Sequence, residues 1–342
     1  MSEFYKLDVA EQQQRLEQLA RKALELWDLG AGTELTLIKY RENAVFAVAT
    51  EDGRFVLRVH RAGYHSDSAL RSELQWMAAL NREGIRTPEV IPAADGAMFK
   101  VVDVSEVPEP RQVDVLAWVQ GEPLGSIEAG ASGDAVSNYH IAGELMARLH
   151  NQAQHWEKPE GFTRQAWDLD GLLGEYPLWG CYWELEQLNH DQVELIQSAR
   201  EKARVELEAF GYDRDRYGLI HGDFLPENLL LGDDGIRLID FDDSGFGWHL
   251  FDIATSLFFL AEDANFEQIQ RGFIDGYRTQ RDLPDSHLDL LPTFFMVRGL
   301  AYLGWAHTRK ETNTAKELTP MLIEGVCALA TEYLADPAGQ NG

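Results

Sequence analysis

The sequence predicts an α+β chain in two lobes, a small β-sheet N-terminal lobe over residues 1–119 and a larger, mainly helical lobe over 120–342. Three observations lead there. At 342 residues the chain exceeds the ~250–300 at which a single hydrophobic core usually stops growing. Strand-like runs cluster before residue 120, around one helical pattern. From Asp134 onward the chain reads as mostly helical, interrupted by a strand-and-turn segment at 219–253.

In chain order, residues 11–29 place Leu16, Leu19, Ala20, Ala23, Leu24 and Trp27 on one helical face, and Gly30-Ala31-Gly32 stops the helix. Strands follow at Glu34–Tyr40, Ala44–Thr50 and 54–60, with Glu51-Asp52-Gly53 as a hairpin turn. Residues 66–82 read as a helix with Leu70, Leu74, Met77 and Leu80 on its apolar side. Two further strands are expected at 97–105 and 112–119, ending before Gly121-Glu122-Pro123. No internal repeat or low-complexity tract is present.

Composition narrows the function classes. A formal net charge of −27 argues against nucleic acid, whose phosphate backbone calls for a basic surface. It tilts the surface field toward cationic partners, although solubility alone also explains it. Hydrophobic residues at 45%, with nine tryptophans, suffice for a packed interior. No run approaches the ~18–20 consecutive apolar residues of a membrane span. Residues 1–20 are polar and glutamine-rich, unlike a signal peptide. Cys181 and Cys327, too few and too far apart for a disulfide framework or metal cluster, fit a reducing cytoplasm.

The chemistry concentrates in LIHGDFLPENLLLGDDGIRLIDFDDSGFGWHLFDI, residues 219–253. His221-Gly222-Asp223 precedes Asn228 by a fixed short spacing, and Ile239-Asp240-Phe241 follows a Gly-Asp-Asp-Gly turn. A plain β-hairpin with Asn228 as a turn residue and His221 as a core histidine accounts for part of this pattern. It leaves unexplained Asp240, read as a charge inside an apolar strand, which is costly without a cation or metal beside it. Two carboxylates and an amide on such a loop are what magnesium-dependent phosphoryl transfer uses: one carboxylate orients the attacking hydroxyl, and the other groups hold metal at the nucleotide phosphates.

This two-part pattern, H-G-D-x-x-x-x-N followed by I-D-[FW], resembles the signature of the aminoglycoside phosphotransferase superfamily, the protein-kinase-like small-molecule kinases. Choline, ethanolamine and homoserine kinases and a stress-response protein kinase belong to it. The resemblance implies a protein-kinase-like fold, with ATP and Mg2+ as cofactors. It makes Asp223 the residue that accepts the substrate hydroxyl's proton, and Asn228 and Asp240 the metal ligands. His221 supports the loop from behind. Asp252 matches a buried aspartate that holds the catalytic-loop backbone; a helix N-cap is its plain alternative, and the two roles are compatible. A glycine stands where protein kinases have arginine between His221 and Asp223, so no docking site for an activation-loop phosphate is evident.

In such a fold the third strand supplies a cation for the nucleotide phosphates, aligned by a helix glutamate. Here these are Arg58 and Glu73. Arginine replaces the commoner lysine; it keeps the charge and adds a planar fork, and a lysine at 58 is expected to retain substantial activity. An exposed strand residue beside a solvated glutamate is the alternative. The turn within residues 40–48 has no glycine and resembles the E-N-x-V-[FY] turn of the stress-response and homoserine kinase branches, so Asn43 either covers the phosphates or serves only as a turn residue. Residues 115–119 are expected to form the adenine-recognising hinge.

For the acceptor, Asp242 and Asp243 either face a cationic group or occupy a solvated loop. Trp167, Trp179, Tyr182 and Trp183, with Asp168, Asp170, Glu175 and Glu184, form either an amine-binding cage or core packing. Family layout puts Arg298, Tyr302, Trp305 and His307 on a helix bordering the acceptor. The sequence reading is thus an ATP- and Mg2+-dependent phosphotransferase acting on the hydroxyl of a small, amine-bearing metabolite, such as an amino alcohol or hydroxy amino acid, without nucleic-acid or membrane partners. A serine/threonine protein kinase of the stress-response type and a nucleotide-binding pseudokinase stand as the alternatives.

Overall fold

The computed structural model describes residues 3–29, 32–40, 43–51, 53–127 and 130–335. Met1 and Ser2, the helix stop at Gly30 and Ala31, Arg41 and Glu42 of the glycine-free turn, and Asp52 of the hairpin lie outside the described residues. The chain divides into two compact units. One comprises Met1–Gly121, Glu157–Thr163 and Arg237–Asp242; the other comprises Glu122–Trp156, Arg164–Ile236 and Asp243–Gly342. Where a single boundary after residue 119 was expected, two later segments belong with the N-terminal unit.

The first unit opens with α1 (Val9–Leu24), whose N-cap Asp8 accepts the Glu11 amide. It ends earlier than expected because a 3-10 turn, Glu25–Trp27, follows and Asp28 adopts a left-handed conformation (φ 56°). Strands β1 (Glu34–Tyr40), β2 (Ala44–Thr50), β3 (Gly53–Val59), β4 (Val90–Ile91), β5 (Lys100–Val102) and β6 (Arg111–Ala117) form one antiparallel sheet in the order β1-β2-β3-β6-β4, with β5 also paired to β6. In β2 Ala44, Phe46 and Val48 are buried while their neighbours are half-buried, the period-2 signal that made the strand readable. They pack with Leu57, Val113 and Val115 and the α1 residues Leu19, Ala20 and Ala23. The strand expected at 97–105 shrinks to Lys100–Val102, since residues 93–97 close a turn in which Ala93 donates to the Ala97 carbonyl at 2.8 Å. Helix α2 (Asp67–Arg82) is capped by Ser66.

In the second unit, short strands β7 (Glu122–Pro123), β8 (Gly125–Ser126) and β9 (Gly130–Ala131) lead to α3 (Ala135–His155). Then come β10 (Ala166–Trp167), α4 (Leu169–Leu173), α5 (His190–Phe210), β11 (Tyr217–Ile220), β12 (Leu229–Gly232), β13 (Gly235–Leu238), which runs on into the first unit's last segment, and β14 (Gly245–Trp248). Helices α6 (His249–Leu257), α7 (Phe266–Gln280), α8 (Asp285–Leu288), α9 (Leu291–Thr308) and α10 (Asn313–Ala335) complete it. Helices α3 and α7 approach so closely that a Cβ on Gly276 would lie 2.0 Å from the His140 carbonyl. Among the described residues α10 is the one helix whose length and composition would suit a membrane span; its Leu322, Ile323, Val326 and Ala330 are buried, and it packs on α5 and α9. Cys181 and Cys327 are free thiols.

Candidate active site

In the second unit, β11 pairs with β14 and delivers the chain to His221. Gly222 has φ 79°, and a Cβ there would lie 2.5 Å from the Asp243 carbonyl and 3.0 Å from Trp167 Nε1, so only glycine fits. Asp252, in the first turn of α6, receives the amides of both loop residues: His221 N–H at 2.9 Å and Gly222 N–H at 2.8 Å. The N-cap of α6 is Trp248, so the capping alternative for Asp252 does not apply. Beneath it lies His150 of α3, fully buried, with Nε2 3.1 Å from Asp252 and Nδ1 2.9 Å from the Tyr277 hydroxyl. Burial keeps the His150 pKa well below the usual histidine value. A neutral ring that donates from Nε2 to Asp252 then accepts the Tyr277 O–H at Nδ1. Burial also raises the Asp252 pKa, against the pull of His221 and the two amides.

The 3-10 turn Pro226–Asn228 folds Asn228 back onto Asp223. Asn228 Nδ2 donates to the Asp223 carbonyl at 2.9 Å and to its carboxylate Oδ2 at 3.0 Å. The amide oxygen is the atom suited to a hard cation. The Asp223 side chain keeps 20% exposure, enough to meet a substrate. Its Oδ1 accepts Arg298 Nη2 at 3.2 Å. His221 is buried, and its Nδ1 accepts the Asp223 amide at 3.3 Å. Of the helix assigned to the acceptor border, Arg298 and Tyr302 are therefore buried at the catalytic loop, while His307 lies 3.9 Å from Glu184.

Trp167, Trp179 and Tyr182 are core residues; Asp168 caps α4, and Asp170, Glu175 and Glu184 are exposed. Packing therefore accounts for most of the aromatic stretch, with one exception. Trp179 Nε1 donates to Asp243 Oδ1 at 3.4 Å, while the Asp243 carbonyl accepts Trp167 Nε1 at 2.8 Å and Gln165 Nε2 at 3.0 Å. Asp243 is thus held beside Gly222 in the same unit as Asp223.

In the first unit, Arg58 of β3 stands opposite Asp114 of β6 in the strand register. The guanidinium grips that carboxylate side-on, Nε to Oδ1 at 2.9 Å and Nη2 to Oδ2 at 2.7 Å, and sends Nη1 to Glu73 Oε1 at 2.9 Å. Asp114 Oδ2 is also 2.7 Å from His60 Nε2. Arg58, His60, Glu73 and Asp114 are all buried, so the alternative of an exposed strand residue beside a solvated glutamate is excluded. Burial alone would lower the His60 pKa, but the attraction of Asp114, the hydrogen bond to it and the nearby Asp242 carboxylate raise it to about 9. Burial would raise that of Asp114, but Arg58 and His60 bring it down to about 2. Asp114 and His60 were missed in the sequence, although an aspartate inside the apolar run Val113–Val115 is the same signal that singled out Asp240.

Two expectations change here. Asp240 is not inside a strand: β13 ends at Leu238, and Asp240 is exposed, with φ 65°, a conformation rare for a non-glycine residue and often kept at functional positions. The acidic pair is divided. Asp242 is buried in the first unit, its carboxylate 3.7 Å from His60 Nδ1 and 3.6 Å from His65 Nε2, while Asp243 belongs to the second. Asn43 Oδ1 accepts the Arg61 amide at 3.0 Å, joining the chain just before β2 to the chain just after β3. In the expected hinge, the Ala117 and Trp118 amides already donate to Glu89 and Arg54 carbonyls.

A family model described as a phosphotransferase enzyme family matches residues 34–287. The amicoumacin kinase of Bacillus subtilis (strain 168) is 24% identical over 295 residues, 83% of this chain and 83% of that protein. A homoserine kinase of Caulobacter sp. (strain K31) is 26% identical over 273 residues, 76% of this chain and 75% of that one. A solved microcompartment-associated aminopropanol kinase superposes with a TM-score of 0.83 at 33% identity, over 93% of this chain and 98% of its own.

Proposed function

Because the chain belongs to the phosphotransferase enzyme family, and is thus a kinase acting on hydroxyl groups of small molecules, we propose that it transfers the γ-phosphate of ATP to an amino alcohol. The likeness to the aminopropanol kinase, at 33% identity across 93% of the chain, carries the choice of acceptor. Asp223 orients the acceptor hydroxyl and takes its proton. Asn228 of the second unit and Asp240 of the first each carry a hard oxygen donor of the kind that would hold Mg2+, whose charge would neutralise the phosphates. Arg58, aligned by Glu73 and Asp114, is the first unit's phosphate ligand. The two free cysteines accord with a cytoplasmic setting.

Asp243 is the carboxylate best placed to receive the acceptor's ammonium. It is partly exposed, anchored by Trp179 and held beside Gly222. Asp243→Asn is expected to raise the acceptor KM about tenfold or more while leaving the ATP KM within about twofold, the loss of one charge-assisted contact. The deciding experiment offers ATP and Mg2+ with aminopropanol, ethanolamine, choline, homoserine, an aminoglycoside and a generic protein, and measures ADP release. Turnover is expected with amino alcohols first. Phosphorylation of the generic protein without turnover of any amino alcohol overturns the proposal.

The side-on grip on Asp114 also revises the expectation for lysine at position 58. An ammonium cannot bind Asp114 bidentately and reach Glu73 as well. Arg58→Lys is therefore expected to lower kcat/KM for ATP about tenfold or more, with Arg58→Ala lower still. Unchanged ATP kinetics in both variants would remove Arg58 from the nucleotide site.

A further inference from the structure

Arg298 lies in the apolar helix α9 and is fully buried, at 0% exposure. Burying a guanidinium costs several kcal/mol unless its partners repay it, and a hydrophobic residue of like size often serves a core better. Its side chain is nonetheless aimed at the catalytic loop. Nη1 donates to the Gly222 carbonyl at 3.1 Å, and Nη2 to Asp223 Oδ1 at 3.2 Å and to the Tyr302 hydroxyl at 2.9 Å. The rings of Tyr302, Trp179 and Phe251 surround it at 4.3, 4.9 and 5.3 Å from their centroids. This packing fixes its direction.

Asp223 does not need this cation for its own stability, because its side chain is 20% exposed and reaches water. What the arginine adds is geometry. Asn228 holds Oδ2 and Arg298 holds Oδ1, so both carboxylate oxygens are fixed from different sides, and the bond to Gly222 ties the backbone to the same fork. We propose that Arg298 is a positioning residue that locks the Asp223 carboxylate and the Gly222 peptide in the orientation that receives the acceptor hydroxyl. The inference rests on the reading of Asp223 as the group that takes the acceptor's proton. Displacement of such a group by about 1 Å costs about a hundredfold in rate.

A double-mutant cycle on the full chain tests it, using ATP and the best acceptor of the panel above. Arg298→Met is expected to lower kcat about 10²-fold, and Arg298→Lys about tenfold, with the ATP KM within about twofold of wild type. Because Arg298 acts through Asp223, Asp223→Asn/Arg298→Met is expected to fall within about threefold of Asp223→Asn alone. A merely structural arginine would multiply the two losses; that result, or a kcat for Arg298→Met within about twofold of wild type, overturns the proposal. Should Arg298→Met not fold, the same cycle is read with Arg298→Lys, which keeps the buried charge. Wild-type turnover in Asp223→Asn alone would instead overturn the reading of Asp223.

Discussion

Asp223→Asn is expected to lower kcat by about 10²–10⁴-fold while the chain still folds and binds ATP. The substitution preserves shape and a hydrogen-bonding oxygen but removes the group that can accept the acceptor's proton. Its neighbours sharpen the expectation. Asn228 donates to one carboxylate oxygen and Arg298 to the other, so an amide at 223 meets two donors with only one acceptor oxygen and must turn its own N–H₂ toward one of them. The loop itself should survive, since it is held by Asp252 through the His221 and Gly222 amides rather than by the Asp223 side chain. Steady-state kinetics together with direct nucleotide binding separate the two effects. Loss of nucleotide affinity equal to the loss of turnover would point to a metal or phosphate role instead.

The second large effect is on stability, in the first unit. Asp114→Ala removes the carboxylate shared by Arg58 and His60: it leaves the buried Arg58 with Glu73 as its ion-pair partner and takes away the main attraction that keeps the buried His60 protonated. Breaking a buried pair in this way costs about 3–5 kcal/mol, seen as a lower midpoint of thermal unfolding. The same cluster sets a pH dependence. The folded-state pKa of His60, about 9, lies above the ordinary 6.5, so its contribution is complete below about pH 6.5 and is lost as pH rises through about 9. That contribution is on the order of 3 kcal/mol. His60→Gln should flatten this alkaline decline. Asp114, depressed to about 2, acts oppositely: its stabilisation is present above the ordinary aspartate pKa and is lost as pH falls toward 2. An unfolding midpoint independent of pH between about 6.5 and 9 would mean that His60 is not held as a cation.

Local pattern made the first three strands, the two N-terminal-unit helices and the 219–253 signature legible. Alternation in Ala44–Thr50 and helical spacing from Leu16 to Leu24 depend on near neighbours only, and the bounds of β1 and β2 were readable directly. What stayed hidden depends on pairing at long range. Asp114 faces Arg58 only because β3 and β6, 56 residues apart, meet in that register. His150 and Asp252 are 102 residues apart, and Arg298 and Asp223 are 75. The split of Asp242 from Asp243 was illegible for another reason: adjacent residues look like one patch in sequence, yet a turn assigned one to each unit.

The three-way tie at Arg58 also constrains how such a sequence can change over generations. A lone lysine at 58 would serve Glu73 but abandon half of Asp114's grip, and a lone neutral residue at 114 would strand Arg58 and leave His60 without its partner. Each single step is disfavoured although both end states can be sound. Positions 58, 60 and 114 should therefore drift as a linked set, so relatives with lysine at 58 are expected to lack the acid at 114 and the imidazole at 60.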